Sequence, residues 1–245
     1  MPRANRHVLA GYAYHVTHRC HDRAFLLRFA RDRQAYRAWL RAGIERFDVH
    51  LLTYCVTCNH VHILLRSPDT AETARFMQLV AGGMAQAYNQ RKKRRGAFWE
   101  DRYHATMVED GDHLWRCMSY IDLNMVRAGV VRHPAEWEWT GWTELMGRRQ
   151  RNRLLDLDCL LASLAVKTVE MFRGLHKERV EHALSRRALE REPWWSQAVA
   201  VGSPEFTKKI EGDLISDYTR RCLERSMESG GTWVLRERDH DAYGS

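Results

Sequence analysis

Two separated stretches hold the residues whose types and spacing could do chemistry. In "CNHVHILLR" (58–66), His60 and His62 stand at i, i+2. Successive side chains of an extended chain point to opposite faces, so both imidazoles share one face and Val61, Ile63 and Leu65 share the other. Neutral imidazoles suit a divalent cation that keeps open positions. Two ligands do not close a metal site, however. The pair also reads as nucleic-acid contacts or as half-exposed strand residues. The second stretch is "DHLWRCMSYIDLNMVRAG" (112–129), in which Leu114, Cys117, Met118, Ile121, Met125 and Ala128 form an apolar stripe at helical steps. Tyr120 and Asn124 lie off that stripe, one turn apart, with Arg116 and Arg127 flanking them. A tyrosine is a nucleophile once its phenol is deprotonated, and an amide oxygen can ligate a hard cation.

Two other constellations compete. Cys55 and Cys58 form a CxxC, with His18, Cys20 and His21 near the end of an earlier strand. A structural zinc site wants two compact pairs, and only one CxxC exists. The run Arg91, Lys92, Lys93, Arg94, Arg95 reads as a solvated helix end. It precedes Phe98 and Trp99, so it also offers phosphate contacts beside rings that could stack bases. There is no P-loop, dinucleotide fingerprint or nucleophile elbow.

Residues 12–18 read as a strand, and a helix follows from about 31 to 46, with Phe29, Tyr36, Leu40, Ile44 and Phe47 at helical spacing. "VHLLTYCV" and "HVHILLR" read as a hairpin about Thr57-Cys58-Asn59. Asp69 or Thr70 can cap a second helix, "RYHATMV" (102–108) is a fourth strand, and a third helix runs from Asp110 or Asp112 to Gly129. The order predicts an α+β fold: a ferredoxin-like βαββαβ antiparallel sheet with helices on one face and an added helix carrying Tyr120. Residues 1–150 form the domain bearing these groups. Residues 151–245 read as a helical C-terminal extension, broken near Gly174, Pro193 and Gly202-Ser203-Pro204.

A formal charge of +8 favours an acidic partner, nucleic acid before an anionic membrane surface. Residues 1–50 carry ten arginines against four acids, which places the polyanion contact in the first half. No apolar run approaches the roughly 18 residues that span a bilayer. Scattered cysteines without a secretory signal indicate a cytoplasmic protein with reduced thiols.

Four segments in order, "YHVTHRCHDR", "NHVHILLR", "GAFWEDRYHATMVED" and "YIDLNMVRAGVV", resemble the REP-associated tyrosine transposases, a branch of the single-tyrosine HUH (IS200-like) transposases. The resemblance covers about residues 10–145 and makes 1–150 an HUH-like catalytic domain. It implies that His60, His62 and Asn124 hold Mg²⁺ or Mn²⁺ and that Tyr120 is the nucleophile. The implied activity is cleavage and joining of single-stranded DNA at hairpin-forming palindromes through a 5′-phosphotyrosine intermediate, the chemistry of DNA transposition. DNA contacts are expected from Arg6, Arg19, Arg116 and Arg127, and from the 91–95 run with Trp99. A monomer is expected if Tyr120 meets its own histidines. Three positions depart from the family pattern: Cys58 and Met125 where proline is frequent, and Cys20 where glycine is common. The alternative is a non-catalytic hairpin-binding protein derived from a transposase, and a zinc-stabilised structural domain is a third reading.

Overall fold

A computed structural model of the chain describes residues 9–186, 190–217 and 223–237. Arg6 lies outside them. The first six elements run β1 (Ala13–Arg19), α1 (Ala30–Ile44), β2 (His50–Val56), β3 (His60–Arg66), α2 (Thr70–Lys92) and β4 (His104–Val108). Their strands lie in the order β2-β3-β1-β4, all antiparallel, as the βαββαβ reading expects. Asp69 caps α2 by accepting from the Ala71 amide, satisfying one of the donors left open at a helix start.

β1 is the centre of this sheet, and its alternation sets the two layers. Tyr14 and Val16 face a core built with Tyr54, Val61, Ile63 and Leu65 of the strands and Tyr36, Leu40, Phe76 and Val80 of α1 and α2. Each large side chain so buried contributes about 1.5–3 kcal/mol. Gly43 lets the two helices approach: a Cβ there would meet the Phe76 ring at 2.5 Å.

The opposite face takes the added helix. Here α3 (Asp112–Asp122) lies against it, followed by α4 (Asn124–Arg127) and α5 (Trp142–Leu145). α3 inserts Leu114, Cys117, Met118 and Ile121 against Leu52, Cys55, Leu64 and Val108 of the sheet. The reason is visible in β2 and β3, whose side chains are buried on both faces along most of their length. Such strands need a second apolar layer. The single helix expected to reach Gly129 is broken at Leu123, whose ψ of 2° leaves the helical range before α4 resumes. Gly129 ends α4 with φ of +68°, the left-handed conformation that a glycine adopts without steric cost.

The segment after residue 150 is also more than helical. It comprises α6 (Leu157–Ser163), α7 (Val169–Ser185), β5 (Ala200–Gly202), α8 (Pro204–Asp217), β6 (Leu223–Met227) and β7 (Trp233–Glu237). β5 pairs in parallel with β4, and β7 and β6 follow, giving a seven-stranded mixed sheet. The added strands cover an edge of β4 that would otherwise expose unpaired amides. Strands of three to five residues stabilised by that pairing leave little local signal. Leu160, Phe172 and Trp195 enter the second core, so the division at 150 separates neither sheet nor core.

Cys20 and Cys55 are buried in the first and second layers respectively, on opposite faces of the sheet. They cannot share a zinc ion. No helix among the described residues is long and apolar enough to cross a membrane.

Candidate functional site

The two histidines open onto the second face, and α3–α4 brings Tyr120 and Asn124 to them. All four line one cleft of about 910 Å³ with Thr17, Arg19 and Arg23, Arg102 and His104, and Arg127 and Arg191. The Asn124 amide nitrogen donates to Nε2 of His62 at 2.9 Å. The ring of Tyr120 stands edge-on to that of His62, with centroids 6.1 Å apart. Tyr120 is only 7% exposed, packed beside Trp195 at 6.2 Å. An off-stripe tyrosine was therefore not a solvent-facing one.

Backbone carbonyls decide the proton positions. The Asn59 amide nitrogen donates to the Arg23 carbonyl at 3.0 Å, which turns its Oδ1 toward Nδ1 of His60 at 2.8 Å. An amide oxygen only accepts, so His60 carries its proton on Nδ1 and presents the lone pair of Nε2. Burial lowers the His60 pKa to about 4, helped by the nearby Arg19, Arg191 and Arg127 charges. Burial also holds His62 well below the ordinary range, with His60 and His15 adding to the effect. Both rings are neutral near pH 7, the form that ligates a cation.

Among the described residues no group of three His, Cys, Asp or Glu could hold a metal. The amide of Asn124 is the further polar group that lies against the two imidazoles. Two neutral imidazoles and an amide oxygen fit a divalent cation that keeps positions open for water or phosphate.

At Tyr120 the environment pulls two ways. Burial raises the phenol pKa, while the Arg127 and Arg191 charges lower it. The Arg127 guanidinium carbon lies 3.9 Å from the Tyr120 ring centroid. The same guanidinium donates to the Tyr120 carbonyl at 2.5 Å, holding Arg127 across the break between α3 and α4. Met125, which departs from the proline that the resemblance leads one to expect, falls in the first turn of α4. That position tolerates proline, and the break forms without it.

Of the expected DNA contacts, Arg19 and Arg127 line the cleft. Arg116 lines a second groove of about 730 Å³ on the other side of Tyr120, shared with Arg127 and Arg191. It is engaged there by Thr232 and by Glu192 at 3.5 Å. The 91–95 run sits at the C-terminal end of α2, the helix packed on the opposite face of the sheet, and does not line the cleft. Arg91 pairs with the buried Asp32, and Arg94 bonds Asn89 and the Ala97 carbonyl. Lys92, Lys93 and Arg95 are exposed. Trp99 stacks on His18 at 4.1 Å and donates to the Ala81 carbonyl, so its ring is already used. Sequence reasoning missed Arg23, Arg102, His104 and Arg191. His104 and Thr17 are register partners and could have been found from strand alternation. Arg191 carries no local signal.

Residues 9–124 match the family described as "Transposase IS200 like". No curated protein is significantly similar to the chain. A solved structure described as "Structure of the REP associates tyrosine transposase bound to a REP hairpin" is 16% identical. The match covers 60% of this chain and 87% of that chain, with a TM-score of 0.49.

Proposed function

We propose, from the match of residues 9–124 to the IS200-like transposase family, that the protein cleaves and rejoins single-stranded DNA at hairpin-forming palindromes. We further assign it to the REP-associated branch on its four sequence segments. The observation that carries this reading is the meeting of Tyr120, His60, His62 and Asn124 in one arginine-lined cleft. His60, His62 and Asn124 would hold Mg²⁺ or Mn²⁺, with the imidazoles favouring Mn²⁺. A cation bound there supplies Lewis-acid polarisation of a phosphate oxygen.

The chain's own residues do the rest. Arg19, Arg23 and Arg102 draw the phosphates into the cleft, and Arg127 stabilises the developing phenolate of Tyr120. The Tyr120 oxygen attacks phosphorus; the Oη–P bond forms as the P–O3′ bond breaks. The phenol gives up its proton and the departing 3′-oxygen takes one, leaving a free 3′-hydroxyl and a 5′-phosphotyrosine. One ester replaces another, so attack by a 3′-hydroxyl reverses the step without ATP. One chain supplies every group, which supports a monomer acting in cis on its DNA.

The test is incubation with hairpin oligonucleotides and Mn²⁺ or Mg²⁺. A covalent protein–DNA adduct is expected, absent in Tyr120→Phe. Tight hairpin binding with no adduct under any of these conditions would instead support a binding protein.

A further inference from the structure

We propose that His15 is a positioning residue: with the Trp195 carbonyl it fixes the tautomer in which His62 presents Nε2 to the cleft. This rests on the reading of His60, His62 and Asn124 as a cation site. His15 lies on β1, fully buried, two residues before Thr17, the register partner of His62. Its Nδ1 is 2.6 Å from the Trp195 carbonyl oxygen, and its Nε2 is 2.9 Å from Nδ1 of His62.

A carbonyl oxygen only accepts, so Nδ1 of His15 bears a proton. In the neutral ring Nε2 is then a lone pair, and Nδ1 of His62 must donate to it. The remaining nitrogen of His62, Nε2, is left as a lone pair beside the Asn124 amide. The two rings have centroids 5.0 Å apart and planes within 19°. With nitrogens 2.9 Å apart, that describes two imidazoles meeting edge to edge. An imidazole free in water favours the proton on Nε2, the tautomer that cannot ligate through that atom. The relay reverses this preference. Partners of this kind orient a ligating histidine and raise its basicity.

The anchor comes from outside the part of the chain that matches the transposase family. Trp195 sits in the turn Pro193–Ser196, which is docked by more than one bond. The Ala198 carbonyl just beyond it accepts from Thr106 Oγ1 at 2.8 Å and His104 Nε2 at 2.9 Å. The Trp195 side chain is itself fully buried against Tyr120. The C-terminal segment therefore holds the proton register of a residue 133 positions earlier, through His15.

Long-range ¹H–¹⁵N correlation spectra of the metal-free full chain read the tautomers directly. His62 is expected as the Nδ1–H form in the wild type. In His15→Phe, which keeps a ring and loses the acceptor, it should shift toward Nε2–H. Mn²⁺ affinity, measured calorimetrically without DNA, should fall roughly 10–100-fold in that variant. His15→Gln, which restores an acceptor for His62, should recover most of the loss. An Nε2–H tautomer at His62 in the wild type would overturn the proposal without any variant. Equal Mn²⁺ affinities for His15→Phe and His15→Gln would also overturn it, since packing alone would then explain the effect. If the wild type binds no Mn²⁺, the cation reading fails instead, and the tautomer spectrum decides the relay by itself.

Discussion

The guanidinium of Arg127 lies over the ring of Tyr120, 3.9 Å from its centroid, and donates to the carbonyl of the same residue. It is both a charge that favours the phenolate and a brace across the helix break. Burial raises the Tyr120 pKa, and Arg127 is the largest of the influences opposing it. Arg127→Gln should slow adduct formation by about tenfold or more, some 1.4 kcal/mol of barrier. The rising limb of the pH–rate profile, where the phenol loses its proton, should also move to higher pH. A single-turnover profile with Mn²⁺ checks both.

The buried histidines make stability depend on pH in a defined direction. His15 is lowered to about 3 and His60 to about 4, in both cases chiefly by burial. The unfolded chain protonates these rings near pH 6.5, while the folded chain refuses the proton until much lower pH. Stability from these groups is thus complete above pH 6.5 and declines as pH falls toward 3–4. Urea titrations at pH 7.5, 6.0 and 4.5 should show the midpoint dropping. In His15→Phe the slope with pH should be shallower.

Asp122, between Tyr120 and Asn124 in sequence, is tied to α7 by His176 at 2.8 Å, with both side chains fully buried. Its second oxygen accepts from Thr140 at 3.1 Å. His176→Leu would leave a buried Asp122 oxygen without its hydrogen-bond partner, a loss of about 1–3 kcal/mol. Chemical denaturation should register that loss. Adduct yield should fall with it, because α3 carries Tyr120, the proposed nucleophile.

Basic residues should divide by location. Arg19→Gln and Arg191→Gln, in the cleft, should reduce cleavage. Lys92→Gln, Lys93→Gln and Arg95→Gln together should leave cleavage of bound hairpin unchanged. Any phosphate contact they make would appear as a salt slope smaller by about 0.7–0.9 per contact. Binding isotherms at several salt concentrations, beside cleavage rates at saturating protein, separate the two effects.

What the amino-acid sequence determined was local and periodic. Alternation in "HVHILLR" put His60 and His62 on one face, and helical steps set Tyr120 and Asn124 apart from the apolar stripe. The order of strands and helices sufficed for the β2-β3-β1-β4 sheet. Tertiary structure decided the rest. The second apolar face of β2 and β3 called in α3 and the C-terminal helices, and the edge of β4 recruited strands too short to announce themselves. Only folding brings Trp195 to His15 across 180 residues, and Arg191 to a cleft whose histidines lie far earlier in the chain. The difference is physical: periodicity records which face of an element is buried, whereas a proton's position on His62 depends on a carbonyl that no neighbouring residue supplies.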